Sequence, residues 1–228
     1  MKQIKLDFGK KDYRTDESYK TLRTNIEFSG AENKVIAVTS CVPSEGKSTV
    51  SLELARSLAE SGKKVLYIDA DLRKSVLTGR YHIHKEIKGL SHFLSGQNGV
   101  GEITYQTQEE NLAIIFSGVI PPNPSELLGQ NKFQALITSS RKVFDYVIID
   151  TPPLGRVIDA AVIAKLCDAS VIVIEANTIS YKFARVVKSQ LEKSGCPILG
   201  VVLNKVDMKQ NKYYGKYYGK YYGEYGKV

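Results

Sequence analysis

The sequence predicts an α/β protein: a doubly wound, mostly parallel sheet of the P-loop type, followed by a flexible C-terminal tail. Two observations carry this. Six short runs rich in β-branched residues recur along the chain and alternate with longer amphipathic stretches. The runs are also almost continuously apolar, as strands buried on both faces of a parallel sheet are.

In chain order, residues 15–28 come first and read as an extra helix ahead of the sheet. Thr15 suits its N-cap, Asp16 and Glu17 suit its first turn, and Tyr19, Leu22 and Ile26 recur on one face. The strand candidates are 34–39 (KVIAVT), 64–69 (KVLYID), 111–116 (NLAIIF), 145–150 (DYVIID), 169–174 (ASVIVI) and 197–203 (PILGVVL). Helix candidates lie near 47–61, 124–140, 157–167 and 180–194. The first of these ends at Ser61-Gly62 and the last at Ser194-Gly195, where a terminating glycine belongs. After Asp207 the pattern stops. Residues 213–224 are three repeats, YYGK-YYGK-YYGE, followed by Tyr225. A glycine every four residues opposes a regular helix, so this segment reads as solvated and flexible. The organisation expected is an N-terminal arm and helix over 1–30, a P-loop domain over 31–208 and a tail over 209–228.

The 228 residues suffice for a self-supporting core, and the net charge is +8. That charge is concentrated at the ends. Five lysines face the single Glu224 in 209–228, and Lys2, Lys5, Lys10, Lys11 and Arg14 outnumber Asp7 and Asp12 at the start. The body is close to neutral, which is the distribution of interaction tails and attracts either anionic lipid or nucleic acid. Three cysteines, Cys41, Cys167 and Cys196, form no paired motif and point to a reducing compartment. No apolar run approaches the ~20 residues of a spanning helix, and the N-terminus lacks a signal-peptide core. The expected location is cytoplasmic.

The chemistry begins at 40–49, SCVPSEGKST, between a strand and a helix. It follows the phosphate-loop formula GxxxxGK[ST] with Cys41 in place of the first glycine. Gly46 allows close backbone approach, and consecutive N–H groups at a helix N-terminus cradle anions. Lys47 supplies charge to the β and γ phosphates, and the Ser48 hydroxyl suits Mg²⁺. Pro43, Ser44, Glu45, Gly46, Lys47, Ser48 and Thr49 are therefore the candidate nucleotide contacts. VLYIDADLR places Asp69 and Asp71 at the end of the second strand, and FDYVIIDTPP places Asp150 at the end of the fourth. Ligands of open α/β sheets bind beyond the carboxyl ends of the strands, so Ser48, Asp69, Asp71 and Asp150 can converge on one magnesium–phosphate site.

With these motifs the chain resembles the bacterial tyrosine kinases of capsule and exopolysaccharide assembly, a branch of the P-loop ATPases that includes chromosome-partition and division-site ATPases. The resemblance runs from about residue 15 to the end. SGVIPPNPSELL at 117–128 and the tyrosine cluster separate the kinases from the other ATPases. The resemblance implies ATP and Mg²⁺ as cofactors, with Lys47 on the phosphates. Ser48, Asp69 and Asp150 are the implied metal set, Asp150 acting through water. Asp69 and Asp71 are implied candidates for orienting metal waters and taking the tyrosine proton, and Arg73 is implied near the transferred phosphoryl group. It also implies a ring-forming helix carrying Glu17, Lys20 and Arg23, where lysine replaces the family's first arginine and loses its bidentate fork. The implied partners are a membrane adaptor of the polysaccharide chain-length regulator type, further copies of the chain and a cognate tyrosine phosphatase, with no specific nucleic acid. A chain without spanning segments resembles the split Gram-positive form, recruited peripherally to the membrane through the adaptor.

Tyr213, Tyr214, Tyr217, Tyr218, Tyr221, Tyr222 and Tyr225 are half of the chain's fourteen tyrosines. Beside a P-loop enzyme they read as its own phosphoacceptors, although an aromatic-basic tail also suits stacking on single-stranded nucleic acid. LNKVD at 203–207 resembles the guanine-reading NKxD element, and in the ATPase branch makes Asn204 a candidate adenine contact. His82, His84 and His92 read as surface residues, and Cys41 as a small residue filling the loop. The readings left open are a partition-type positioning ATPase without kinase activity and a nucleotide-binding scaffold without turnover.

Overall fold

The computed structural model describes residues 2–9, 12–83 and 86–207. The seven tail tyrosines, the tail itself and His84 lie outside the described residues. In chain order the elements are β1 (Lys2–Gln3), α1 (Tyr13–Phe28), β2 (Val35–Ser40), α2 (Lys47–Glu60), β3 (Val65–Asp69), α3 (Leu77–Arg80), α4 (Leu90–Leu94) and α5 (Val100–Ile103). There follow β4 (Thr104–Gln106), β5 (Leu112–Ile115), α6 (Pro124–Leu128), α7 (Asn131–Val143), β6 (Tyr146–Asp150), α8 (Asp159–Ala164), β7 (Ala169–Glu175), α9 (Tyr181–Glu192) and β8 (Ile198–Asn204).

The eight strands form one sheet in the order β1-β4-β5-β3-β6-β2-β7-β8. The β4–β5 pair is antiparallel and every other pair is parallel. The doubly wound, mostly parallel prediction therefore holds. Strands β2, β3, β5 and β6 are buried along their whole length, which explains their unbroken apolar sequences. Alternate residues feed opposite faces. Val38, Tyr67, Ile114 and Ile148 pack with Leu54 and Leu58 of α2, whereas Ala37, Ile68, Ile115 and Ile149 pack with Phe133 and Leu136 of α7. Val187 and Leu191 of α9 cover Ile172 of β7.

Four local expectations change. The N-cap of α1 is Asp12 rather than Thr15, because the Asp12 carboxylate accepts both the Thr15 N–H (3.0 Å) and its hydroxyl (2.7 Å). The single helix expected over 124–140 is two, α6 and α7, parted where Gly129 closes α6 and Gln130 turns extended. The helix expected over 157–167 shortens to α8, because residues 154–156 form a turn and the helix begins only at Asp159. His92 is buried and not a surface residue: its Nδ1 accepts the Gly89 N–H at 3.1 Å. Strands β1 and β4 and the short helices α3 to α5 had no periodic signature. Strand β1 is set by tertiary pairing, Lys2 and Gln3 lying beside Tyr105 and Gln106 of β4, and beyond it the Gln108 side chain accepts the Leu6 N–H at 2.9 Å with Leu6 buried in the core.

Candidate functional site

Parallel pairing gathers the site. In register, Asp69 of β3 lies beside Asp150 of β6, Val38 of β2 pairs with Asp150 on its other side, and Glu175 of β7 pairs with Asn204 of β8. Adjacent strands are ~4.8 Å apart, so residues from distant parts of the chain meet along one edge. Strand β2 runs directly into the loop 41–46, and α2 begins at Lys47 with Gly46 as its N-cap at φ 89°.

The loop is braced from within. Glu45 is buried, and its carboxylate accepts the Val42 N–H at 2.7 Å and the Glu175 N–H at 3.3 Å. The Asn204 amide donates to the Glu45 carbonyl at 2.9 Å, and Lys205 Nζ reaches the Ser44 carbonyl at 2.8 Å. Thus the side chains of Glu45 and Asn204, both assigned from sequence to the nucleotide, bond the loop's backbone, and Glu45 also ties it to β7. Pro43, Ser44 and Thr49 are exposed around it, and the Thr49 hydroxyl accepts from Arg80 at 2.6 Å. Cys41 is fully buried, and burial first, with the Glu45 charge, pushes its thiol up to about 12, so it packs rather than reacts. A methyl group on Gly155 would lie 2.2 Å from the Cys41 carbonyl, which is why the segment after Asp150 can pass so close.

Gly46 offers a direct test. A Cβ there would lie 2.1 Å from Asn204 Nδ2, on a backbone conformation that costs an L-residue about 1–2 kcal/mol. Gly46→Ala is expected to displace the Asn204 brace and weaken nucleotide binding about tenfold or more, measured by titration with a fluorescent ATP analogue.

Lys47 lies within a carboxylate cluster. Its Nζ is 3.1 Å from Asp150 Oδ1 and 3.6 Å from Asp71 Oδ2, and it donates to Ser48 Oγ at 3.2 Å. Burial alone would lower this lysine, but the Asp150 and Asp71 charges outweigh it and hold the ammonium protonated. Asp69 is almost fully buried; burial, then the neighbouring Asp150 charge, pushes its carboxyl up to about 7. Its oxygens accept the Ser75 hydroxyl and the Asp71 N–H. Below them the Tyr67 phenol is held well above its usual 10, by burial first and then by Asp150 and Asp69. The donor set of one hydroxyl and nearby carboxylates suits a hard cation such as Mg²⁺. Among the described residues no group of three or more His, Cys, Asp or Glu side chains is arranged to hold a metal ion by itself.

Arg73 has a different set of neighbours. Its Nε and Nη2 grip the two Asp159 oxygens at 2.7 and 3.0 Å, and Nη2 also reaches Ser125 Oγ at 2.8 Å. Asp159 is fully buried, and neither it nor Ser125 was singled out from the sequence. The signal available was an acid opening the otherwise apolar run DAAVIA. Burial would raise the Asp159 carboxyl, but the Arg73 and Ser125 hydrogen bonds prevail and hold it below the usual 3.8. A depressed acid stabilises the fold above its unfolded pKa and loses that contribution as pH falls. Asp159→Asn is therefore expected to cost about 1–3 kcal/mol at pH 7, discounted for the exposure of Arg73. The deficit should narrow as pH drops below 3.8, a trend that urea unfolding across pH would follow.

On α1, Lys20 sits 2.8 Å from both Asp16 and Glu17, and Arg23 donates to the Ser57 carbonyl at 3.0 Å. The three residues expected to join subunits share one side of the helix and are held by contacts within the chain.

Residues 33–193 match the AAA domain family. A tyrosine-protein kinase CpsD of Streptococcus agalactiae is 47% identical over 194 residues, 85% of each chain. Among solved structures, the kinase domain of the Escherichia coli tyrosine kinase ETK superposes with a TM-score of 0.78 at 32% identity, covering 84% of this chain and 77% of that one. The septum site-determining protein MinD complexed with Mg-ADP, from Pyrococcus horikoshii OT3, gives a TM-score of 0.64 at 26% identity over 75% and 69% of the two chains. The braced phosphate loop and its row of strand-end carboxylates thus sit on a nucleotide-binding fold. The chain belongs to the bacterial tyrosine-protein kinases, a branch of the P-loop ATPases.

Proposed function

We propose that the chain transfers the γ-phosphoryl group of ATP to tyrosine, that its own tail is an acceptor between subunits, and that this transfer regulates capsular or exopolysaccharide synthesis and export. The observation that carries the reading is the buried Lys47 ammonium between Asp150 and Asp71, at the mouth of a phosphate loop in a chain 47% identical to a tyrosine-protein kinase. Mg²⁺·ATP supplies the phosphoryl group and part of the charge neutralisation. The chain's residues do the rest. Lys47 would bring its charge to the β and γ phosphates, and Ser48, Asp69 and Asp150 would hold the metal. Asp69, with a carboxyl near 7, and Asp71, whose Oδ2 faces Lys47, are the groups proposed to take the phenol proton. A loose transition state asks mainly for such positioning and charge.

Tyr213, Tyr214, Tyr217, Tyr218, Tyr221, Tyr222 and Tyr225 are the proposed acceptors. Each phosphate adds about −1.5 to −2, so four would turn the basic tail acidic and alter what it binds. In this reading Glu17, Lys20 and Arg23 pair copies of the chain, possession of a ring being a matter for sedimentation. A membrane adaptor's cytoplasmic segment activates the enzyme, a phosphatase resets it, and nucleic acid has no specific part. No described helix is long and apolar enough to cross a membrane, so recruitment to the inner face of the membrane is proposed to go through the adaptor. The positioning-ATPase alternative is disfavoured by the lower likeness to MinD than to the ETK kinase domain.

The experiment is transfer from labelled ATP and Mg²⁺, with mass spectrometry of the 209–228 peptide, run with and without the adaptor's cytoplasmic segment. Phosphotyrosine on the peptide is the expected result. ATP hydrolysis with an unmodified tail, adaptor present, would replace this reading with the positioning ATPase.

A further inference from the structure

We infer that Ser125 and Asp159 are positioning residues of the transfer site, acting through Arg73 to set the direction of the Asp71 carboxylate; the inference rests on the kinase reading above. Asp159 opens α8 and is fully buried, with its two oxygens taken by two nitrogens of the Arg73 guanidinium. Such a fork-to-carboxylate pair fixes orientation as well as distance. Ser125, on α6, closes the network by donating to Asp159 Oδ1 at 2.6 Å while accepting from Arg73 Nη2 at 2.8 Å. Two helices and the turn after β3 thereby meet at one guanidinium.

The consequence reaches the site through the backbone. The N–H groups of Arg73 and Lys74 both donate to Asp71 Oδ1, at 3.3 and 3.0 Å. With Oδ1 so held, Oδ2 is directed at Lys47 Nζ, 3.6 Å away. At the far end of the same turn Ser75 bonds Asp69. The turn is pinned outward by Asp159 and inward by Asp69, and where Arg73 sits decides where Asp71 points. The guanidinium is occupied in this task, so Arg73 is a strut for the carboxylate beside the phosphates. It also gives the PPNPSELL segment a physical role, because its Ser125 completes the strut. Small displacements of a reacting group are costly: about 1 Å is worth up to 10²-fold in rate.

The test compares Ser125→Ala, Asp159→Asn, Arg73→Gln and the double variant Arg73→Gln/Asp159→Asn, each as full chain with the adaptor segment. Two quantities are read: kcat and KM for ATP in tail phosphorylation, and amide hydrogen exchange of residues 71–75 without nucleotide. Asp159→Asn and Arg73→Gln are expected to lower kcat about tenfold with KM for ATP changed less than about threefold, and the double variant to be no worse than the worse single. Ser125→Ala, which leaves the buried ion pair in place, should lower kcat about threefold and speed exchange at Arg73 and Lys74 by a similar factor. Losses that multiply in the double variant, or Ser125→Ala protein matching the parent in both readouts, would overturn the inference. If the parent itself makes no phosphotyrosine, the kinase reading fails separately, and the same cycle on ATP hydrolysis together with the exchange data still decides the role of the strut.

Discussion

Lys47→Met is expected to lower tail phosphorylation by about 10²–10³-fold, because it removes a buried side-chain cation that sits inside the carboxylate cluster beside the phosphate loop. Methionine matches the lysine stem in length and preserves packing against the loop, so the backbone N–H cradle survives. Nucleotide should therefore still bind, more weakly, while transfer nearly stops. The substitution also strips Asp150 of its 3.1 Å partner. Leaving a buried carboxylate uncompensated costs about 3 kcal/mol, so the thermal midpoint should fall as well. Rates under saturating ATP separate the two effects. A variant that phosphorylates its tail at a rate near that of the parent would remove Lys47 from the chemistry.

Asp150→Asn should act on the metal rather than on the fold. The asparagine oxygen still accepts from Lys47, and Asp71 remains 3.6 Å from the same ammonium, so stability changes little. On the proposed reading, what is lost is a formal charge that would help to hold Mg²⁺. Groups that hold a metal through its waters are worth about 10–100-fold in affinity or activity when removed. The Mg²⁺ concentration for half-maximal transfer is therefore expected to rise about tenfold or more, with a fall of about 10²-fold in rate at low Mg²⁺. An unchanged Mg²⁺ midpoint would place Asp150 outside the metal's surroundings and leave Ser48 as the principal protein contact.

Much of the site was legible because phosphate binding demands local sequence. A strand, a glycine at positive φ, a lysine and a hydroxyl must follow one another within a few residues, and 40–49 supplies them in that order. Asp69 and Asp150 were visible for a related reason, each ending an apolar run at a strand terminus. The bonds by which Glu45 and Asn204 brace the loop were not visible, since sequence cannot say which backbone groups a loop side chain meets. Asp159 and Ser125 were missed. Their importance comes from meeting Arg73 across gaps of 86 and 52 residues, and no local pattern encodes such a meeting.

The division has a physical basis. Periodicity and turn chemistry act over a few residues, so the strand and helix types, the phosphate loop and the strand-end acids were determined by the chain read in order. The exceptions are β1, β4 and α3 to α5, which carry no local pattern, together with the split of α6 from α7 at Gly129–Gln130 and the start of α8 only after the turn at 154–156. Strand order and register are long-range hydrogen-bonding choices, and they decide that β3 lies against β6, that β6 lies against β2, and so that Asp69, Asp150 and Lys47 share one desolvated space. In that space burial and the neighbouring Asp150 charge push Asp69 to about 7, while the Asp150 and Asp71 charges outweigh burial and hold Lys47 charged. Those properties belong to the folded arrangement, because in the unfolded chain water screens each group from the others.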